Sequence, residues 1–297
     1  MRIISGVAAG GPGDVATRGA AQVLSQALGQ PFTVENRLGA EGMIAGEACA
    51  RSVPDGYTLC MFDGWQVALN PAIRTKMPYD PARDLTPIMH LGFGVAAIIV
   101  HPAVPANSLK ELFELAKAKP GSIAWGSSGV ASPSNLYIEW LKNARGISFH
   151  NVPYKSSLQA MQAVLAGEIH VTSYIAGQVA PHVKAGKLKA LAVPTSERSP
   201  YLPDVPTFKE SGMDVALVTW FALMAPAGTP RDIIQRLNGE IAKGLFNNAA
   251  MREKYLTKPG TQVLPPTGRS AEEFAEFLKA QRELFVSVVR TTGVKID

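Results

Sequence analysis

The chain reads as an α/β protein with two lobes of similar design, the second inserted in the first, each built on a mostly parallel sheet flanked by helices. Three observations predict this. Short apolar runs alternate with helical patterns, the order that builds βαβ units. A β–α–β–α–β series near the N-terminus is followed, after a turn-rich connector, by a second αβ cycle. The closing segment then returns to helices, as expected if the first lobe is resumed. With 297 residues the chain is long enough for two domains, each with its own core.

Taken in order, Arg2 to Val7 is expected as a strand and Asp14 to Leu28 as a helix. Pro31 to Asn36 is the second strand, and Ala40 to Ser52 a helix stopped by the turn residues Val53-Pro54-Asp55-Gly56. Tyr57 to Phe62 is the third strand, and Asn70 to Pro81 the connector. Ile88 to His101 reads as one strand because Val95 to Val100 is unbroken apolar sequence, the pattern of a strand covered on both faces. The second cycle has helices at Ser108–Ala118, Ser134–Ala144, Ser157–Ala166 and Gln178–Ala185, with strands at Ser122–Gly126, Ser148–Val152, His170–Ser173 and Leu188–Val193. Helices close the chain at Pro230–Phe246, Ala249–Leu256 and Ala271–Thr291. The lobe boundaries are expected at 1–99 with 225–297, and 100–224.

Composition narrows the function. Charged residues make up 18% of the chain and the net charge is +5, but Lys and Arg are scattered. That favours a small anionic ligand over a nucleic acid, which needs a basic stripe with interleaved aromatics. No apolar run reaches membrane-span length. No signal peptide is read at the N-terminus, so the chain is expected to be cytoplasmic or to carry Met1 in place of a removed leader. Cys49 and Cys60 are not spaced as metal ligands and are expected as buried free thiols. A disulfide between them would instead place the chain in an oxidising compartment.

The most informative stretch is Ala8-Ala9-Gly10-Gly11-Pro12-Gly13-Asp14, between the first strand and the first helix. Its glycines let the backbone approach a ligand, and the helix directs unpaired N–H groups and its positive end at the loop. Such a junction binds anions. Asp14 would repel an anion, so its expected role is N-cap or loop anchor. A second junction, Gly126-Ser127-Ser128-Gly129 through Ser132 to Ser134, offers the hydroxyls of Ser127, Ser128 and Ser132. Two such helix ends suit a ligand with two carboxylates. Trp65 is a candidate pocket wall or, equally, a core residue.

Two catalytic readings compete. Gly11-Pro12-Gly13-Asp14-Val15-Ala16 satisfies the G-x-G-x-x-A pattern of a dinucleotide fold, with Glu35 placed to hold a ribose, which makes a nucleotide-dependent oxidoreductase the alternative function. Pro12 weakens it by removing an N–H from the turn. The Gly126 loop resembles a nucleophile elbow, but Val130 stands where the second glycine belongs. The histidines His90, His101, His150, His170 and His182 have no metal-ligand spacing.

Together these segments resemble the solute-binding proteins of the tripartite tricarboxylate transporter type, the TctC or Bug family. The residues that carry the resemblance are Ala9 to Asp14, Val34-Glu35-Asn36-Arg37, Pro54-Asp55-Gly56-Tyr57-Thr58-Leu59, Asn70-Pro71, Pro78 to Pro81, Asp84 to Ile88, Gly126 to Gly129, Pro153-Tyr154-Lys155, Pro203 to Thr207 and Ala225 to Pro230. The resemblance implies a two-lobed type II periplasmic-binding-protein fold with the ligand cleft between the lobes. It implies a small carboxylate (dicarboxylate, tricarboxylate or aromatic acid) held by Ala9, Gly10, Gly11, Asp14, Ser127, Ser128 and Ser132, with Tyr154, Thr172 and Ser173 as additions. It further implies a periplasmic, non-enzymatic monomer with no cofactor or metal and no nucleic acid, its partner a membrane permease or a sensor domain. The chain departs from the family pattern at Ser5-Gly6-Val7, where Val-Pro-Phe is usual, at Ser156, and at Asn135 in place of histidine.

Overall fold

A computed structural model of the chain describes residues 1–129, 132–195, 197–213 and 217–293. Its strands are β1 (Arg2–Ser5), β2 (Thr33–Asn36), β3 (Thr58–Asp63), β4 (Leu85–Gly94), β5 (Ala96–Val100), β6 (Ala124–Ser127), β7 (His150–Pro153), β8 (Val171–Ile175), β9 (Lys189–Ala192) and β10 (Thr219–Pro226). They form two five-stranded sheets, ordered β2-β1-β3-β10-β4 and β7-β6-β8-β5-β9. In the first sheet only β10 runs against its neighbours, and in the second only β5 does. The two orders are therefore the same pattern used twice.

The chain divides into two compact units. One comprises Met1–Gly94 and Thr219–Val286; the other comprises Val95–Val218 and the end of the last helix from Ser287. In the first unit Ile3, Leu59, Met61 and Leu223 alternate along their strands onto one face of the sheet. There they pack on Ala16, Ala20 and Leu24 of helix Pro12–Leu28 and on Leu237 and Ile241 of helix Arg231–Ile241. In the second unit Trp125 is fully buried, with Phe149 edge-on at 4.8 Å between ring centroids.

Three expectations change. The apolar run expected as one strand is two, β4 and β5, in different sheets: Gly94 pairs with Thr219 while Ala96 pairs with Ile175. Residues 65–73 are helical, Trp65–Leu69 leading into Asn70–Ile73, because Pro71 falls in the first turn, where its missing N–H costs nothing. The strand β10 has no counterpart in the expected elements.

Cys49 and Cys60 are not free thiols; they form a disulfide. Cys49 lies on helix Met43–Ala50 and Cys60 on β3, both fully buried with Cα atoms 6.1 Å apart, which is bonding distance for the pair. The bond closes a short loop, so replacing both cysteines by serine is expected to lower stability by about 2–3 kcal/mol. An unchanged urea midpoint in the double variant would mean that the bond does not hold the helix to the sheet.

Candidate functional site

The first glycine loop leaves the sheet after β1, and its anchor is Asp14. The carboxylate, almost fully buried, accepts the Gly10 N–H at 3.0 Å, the Arg18 guanidinium at 2.8 and 3.1 Å, and the Asn36 side-chain amide at 2.9 Å. Asn36, at the end of β2, also donates to Val7 O, so both ends of the loop are tied to one strand end. Burial pushes the Asp14 carboxyl up, but Arg18, Gly10 and Asn36 outweigh it and hold it below the ordinary range. Of the two roles expected for Asp14, the structure gives it that of anchor; the N-cap is Gly11, with no side-chain bond. Gly10 has φ +83°, a conformation that favours glycine. Pro12 opens the helix, and the N–H groups of Gly13 and Asp14 have no acceptor within it.

The second loop follows β6 and is anchored by Ser132. Its hydroxyl donates to Gly129 O at 2.7 Å and accepts the N–H groups of Ser128 and Asn135 at 3.2 and 3.3 Å. A hydroxyl has one donor and two lone pairs, so Ser132 is saturated. Residues 130 and 131, including Val130, lie outside the described residues. Ser127, 1% exposed, donates to Asn151 Oδ1, and Asn151 donates to Asn135 Oδ1. Thr172 donates to Gly126 O, while Ser173 shares a hydrogen bond with Ser134. Tyr154 is half-buried, and its N–H donates to Ser127 O at 2.7 Å. Among the described residues, the Ser128 hydroxyl makes no hydrogen bond.

The two junctions are versions of one device. Gly11-Pro12-Gly13-Asp14 and Ser132-Pro133-Ser134-Asn135 occupy the same helix positions, from N-cap to the third residue. In each, the third residue bonds an asparagine on the sheet's edge strand, Asn36 on β2 or Asn151 on β7. Neither asparagine is a site residue in the sequence reading; the paired x-Pro-small-Asp/Asn motif marks the residues they brace, Asp14 and Asn135, but not the asparagines themselves. Elsewhere, Trp65 is 9% exposed, donates its indole N–H to Thr219 and meets Phe285 edge-on at 5.3 Å, all within the first unit. Glu35 is exposed and accepts Arg37 on its own strand end, so the structure ties it to a surface ion pair.

The model of the tripartite tricarboxylate transporter family receptors, TctC, matches residues 16–291. Among curated relatives, protein BugT of Bordetella pertussis is 32% identical over 289 residues, 97% of this chain and 87% of that protein. Two solved structures from Rhodopseudomonas palustris are also similar. Rpa4515 with adipate has 29% identity and a TM-score of 0.88, with 99% of this chain and 97% of that one covered. MatC (Rpa3494) with bound malate has 28% identity and a TM-score of 0.86, covering 97% of this chain and 98% of that one. The fold is that of the periplasmic binding proteins of this type. The chain belongs to the TctC, or Bug, family of solute receptors.

Proposed function

We propose that the chain captures a small carboxylate in the periplasm, as a monomer without chemistry of its own, and presents it to a tripartite tricarboxylate-type permease or a sensor domain. The observation that carries this reading is the doubled helix-end device. In each copy an internal anchor, Asp14 or Ser132, spends its polar atoms within the loop, which leaves main-chain N–H groups and the Ser128 hydroxyl for an anion. Neutral donors lose their water more cheaply than cations and so permit release. Adipate in Rpa4515 and malate in MatC support the ligand class, and the buried disulfide supports an oxidising compartment. Ala9 and Gly11 are the contacts proposed on the first loop and Ser128 on the second, while Gly10, its N–H held by Asp14, shapes the turn between them. Asp14, Ser127, Ser132, Thr172 and Ser173 hold the frame.

A thermal-shift panel tests this reading. Adipate, malate or a related acid at a hundred times its Kd is expected to add about 2.7 kcal/mol, a rise of several degrees, with no shift from NADH or ATP. A shift with NADH alone would favour the nucleotide-dependent oxidoreductase. Ser128→Ala is expected to weaken the bound acid by about 1–2 kcal/mol, the scale of one hydrogen bond to a charged group. Equal affinities in calorimetry would remove Ser128 from the site.

A further inference from the structure

Gln66 lies outside the residues so far connected with the ligand. It sits in the helical turn after β3, is 6% exposed, and aims its amide at the base of the first glycine loop. Its Nε2 donates to Gly6 O at 2.7 Å, and its Oε1 accepts the Asp63 N–H at 3.3 Å. A Cβ added to Gly6 would lie 2.6 Å from Oε1, and one added to Gly42 would lie 2.4 Å from the amide carbon. The amide therefore fills the space left by two glycines. Gly6 is the last residue held to β3, through its N–H to Met61 O, before the chain leaves as the loop. Gly42 closes a turn in which Gly39, Ala40, Glu41 and Gly42 all have positive φ, and Asn70 ties that turn by donating to Glu41 O.

We propose that Gln66 is a positioning residue for ligand binding at the first glycine loop. Its amide joins the base of the loop to the 39–42 turn, so the loop's N–H groups are ordered before a ligand arrives and the cost of ordering them on binding is avoided. The residue pattern follows from this: with the Gln66 amide where it is, a side chain at position 6 or 42 would have to displace it. The effect on affinity rests on the carboxylate reading above, whereas the ordering of the loop does not.

Hydrogen exchange and calorimetry on the full chain test the two parts. Gln66→Leu keeps the volume and removes the donor, and is expected to speed amide exchange at residues 7–11 by about tenfold while exchange in the second unit stays unchanged. Binding of adipate or malate, whichever the unaltered protein takes, weakens by about tenfold. Gly6→Ala pushes the same amide away from Gly6 O, so Gly6→Ala combined with Gln66→Ala is expected to bind no worse than the weaker single variant. Additive losses, or unaltered exchange at residues 7–11 in Gln66→Leu, would overturn the proposal. If the unaltered protein binds neither acid nor any other carboxylate, the functional reading fails, and exchange alone still decides the role of Gln66.

Discussion

Asp14→Ala is expected to cost about 2–5 kcal/mol, because a buried carboxylate that takes two loop donors and a half-exposed guanidinium is removed. Arg18 keeps access to water, being about half exposed, so it contributes the smaller part. The larger part comes from the Gly10 N–H and the Asn36 amide, which lose an acceptor inside the loop. The pH dependence has a definite sign. A carboxyl held below its unfolded value of 3.8 adds stability that is present above that pH and lost as pH falls through the folded value. The variant should therefore lose the acid-side decline that Asp14 contributes. Urea midpoints at pH 7 and pH 3 measure both effects. A loss under about 1 kcal/mol at pH 7, the scale of an ordinary surface pair, would mean that the loop is held by something other than this carboxylate.

The same network shows what can be read from sequence and what cannot. The helix after the first loop and the capping serine of the second are local signals: Pro at the first helical position and Ser just before it mark a start wherever the chain goes next. The change of sheet at Val95 is not local. Val95 to Val100 continues an apolar run without interruption, and only the pairing of Gly94 with Thr219 and of Ala96 with Ile175 divides it. The disulfide is hidden for the same reason, since it depends on helix Met43–Ala50 packing against β3. Asn36 and Asn151 become visible only when the edge strands are laid beside the loops they brace. Gln66 is legible only through what Gly6 and Gly42 lack.

Two titratable groups in the first unit are expected to cancel each other's pH dependence between about 4 and 6, and removing either should expose the other. His90 is fully buried among Phe93, Trp220, Phe274 and Phe277; Nδ1 meets Thr267, and Nε2 has no partner among the described residues. Burial pushes its pKa down to about 3 from 6.5. The unfolded chain therefore takes up this proton first, and stability is lost as pH falls from 6.5 toward 3. Asp63, half-buried at the end of β3 with Tyr79 near it, is pushed up by burial to about 6 from 3.8. Here the folded chain takes up the proton first, so stability is gained as pH falls from 6 to 3.8 and lost as it rises again. Each slope is about 1.4 kcal/mol per pH unit, with opposite signs over the shared window. Asp63→Asn leaves His90 unopposed, and stability should fall by about 2 kcal/mol between pH 6.5 and 4.5. His90→Phe suits the aromatic cage and leaves Asp63 unopposed, so its stability should rise over the same acid range. Urea midpoints across pH 4–7 decide the matter: curves for the two variants that run parallel to the unaltered protein's would show that neither group is held in the protonation state its burial dictates.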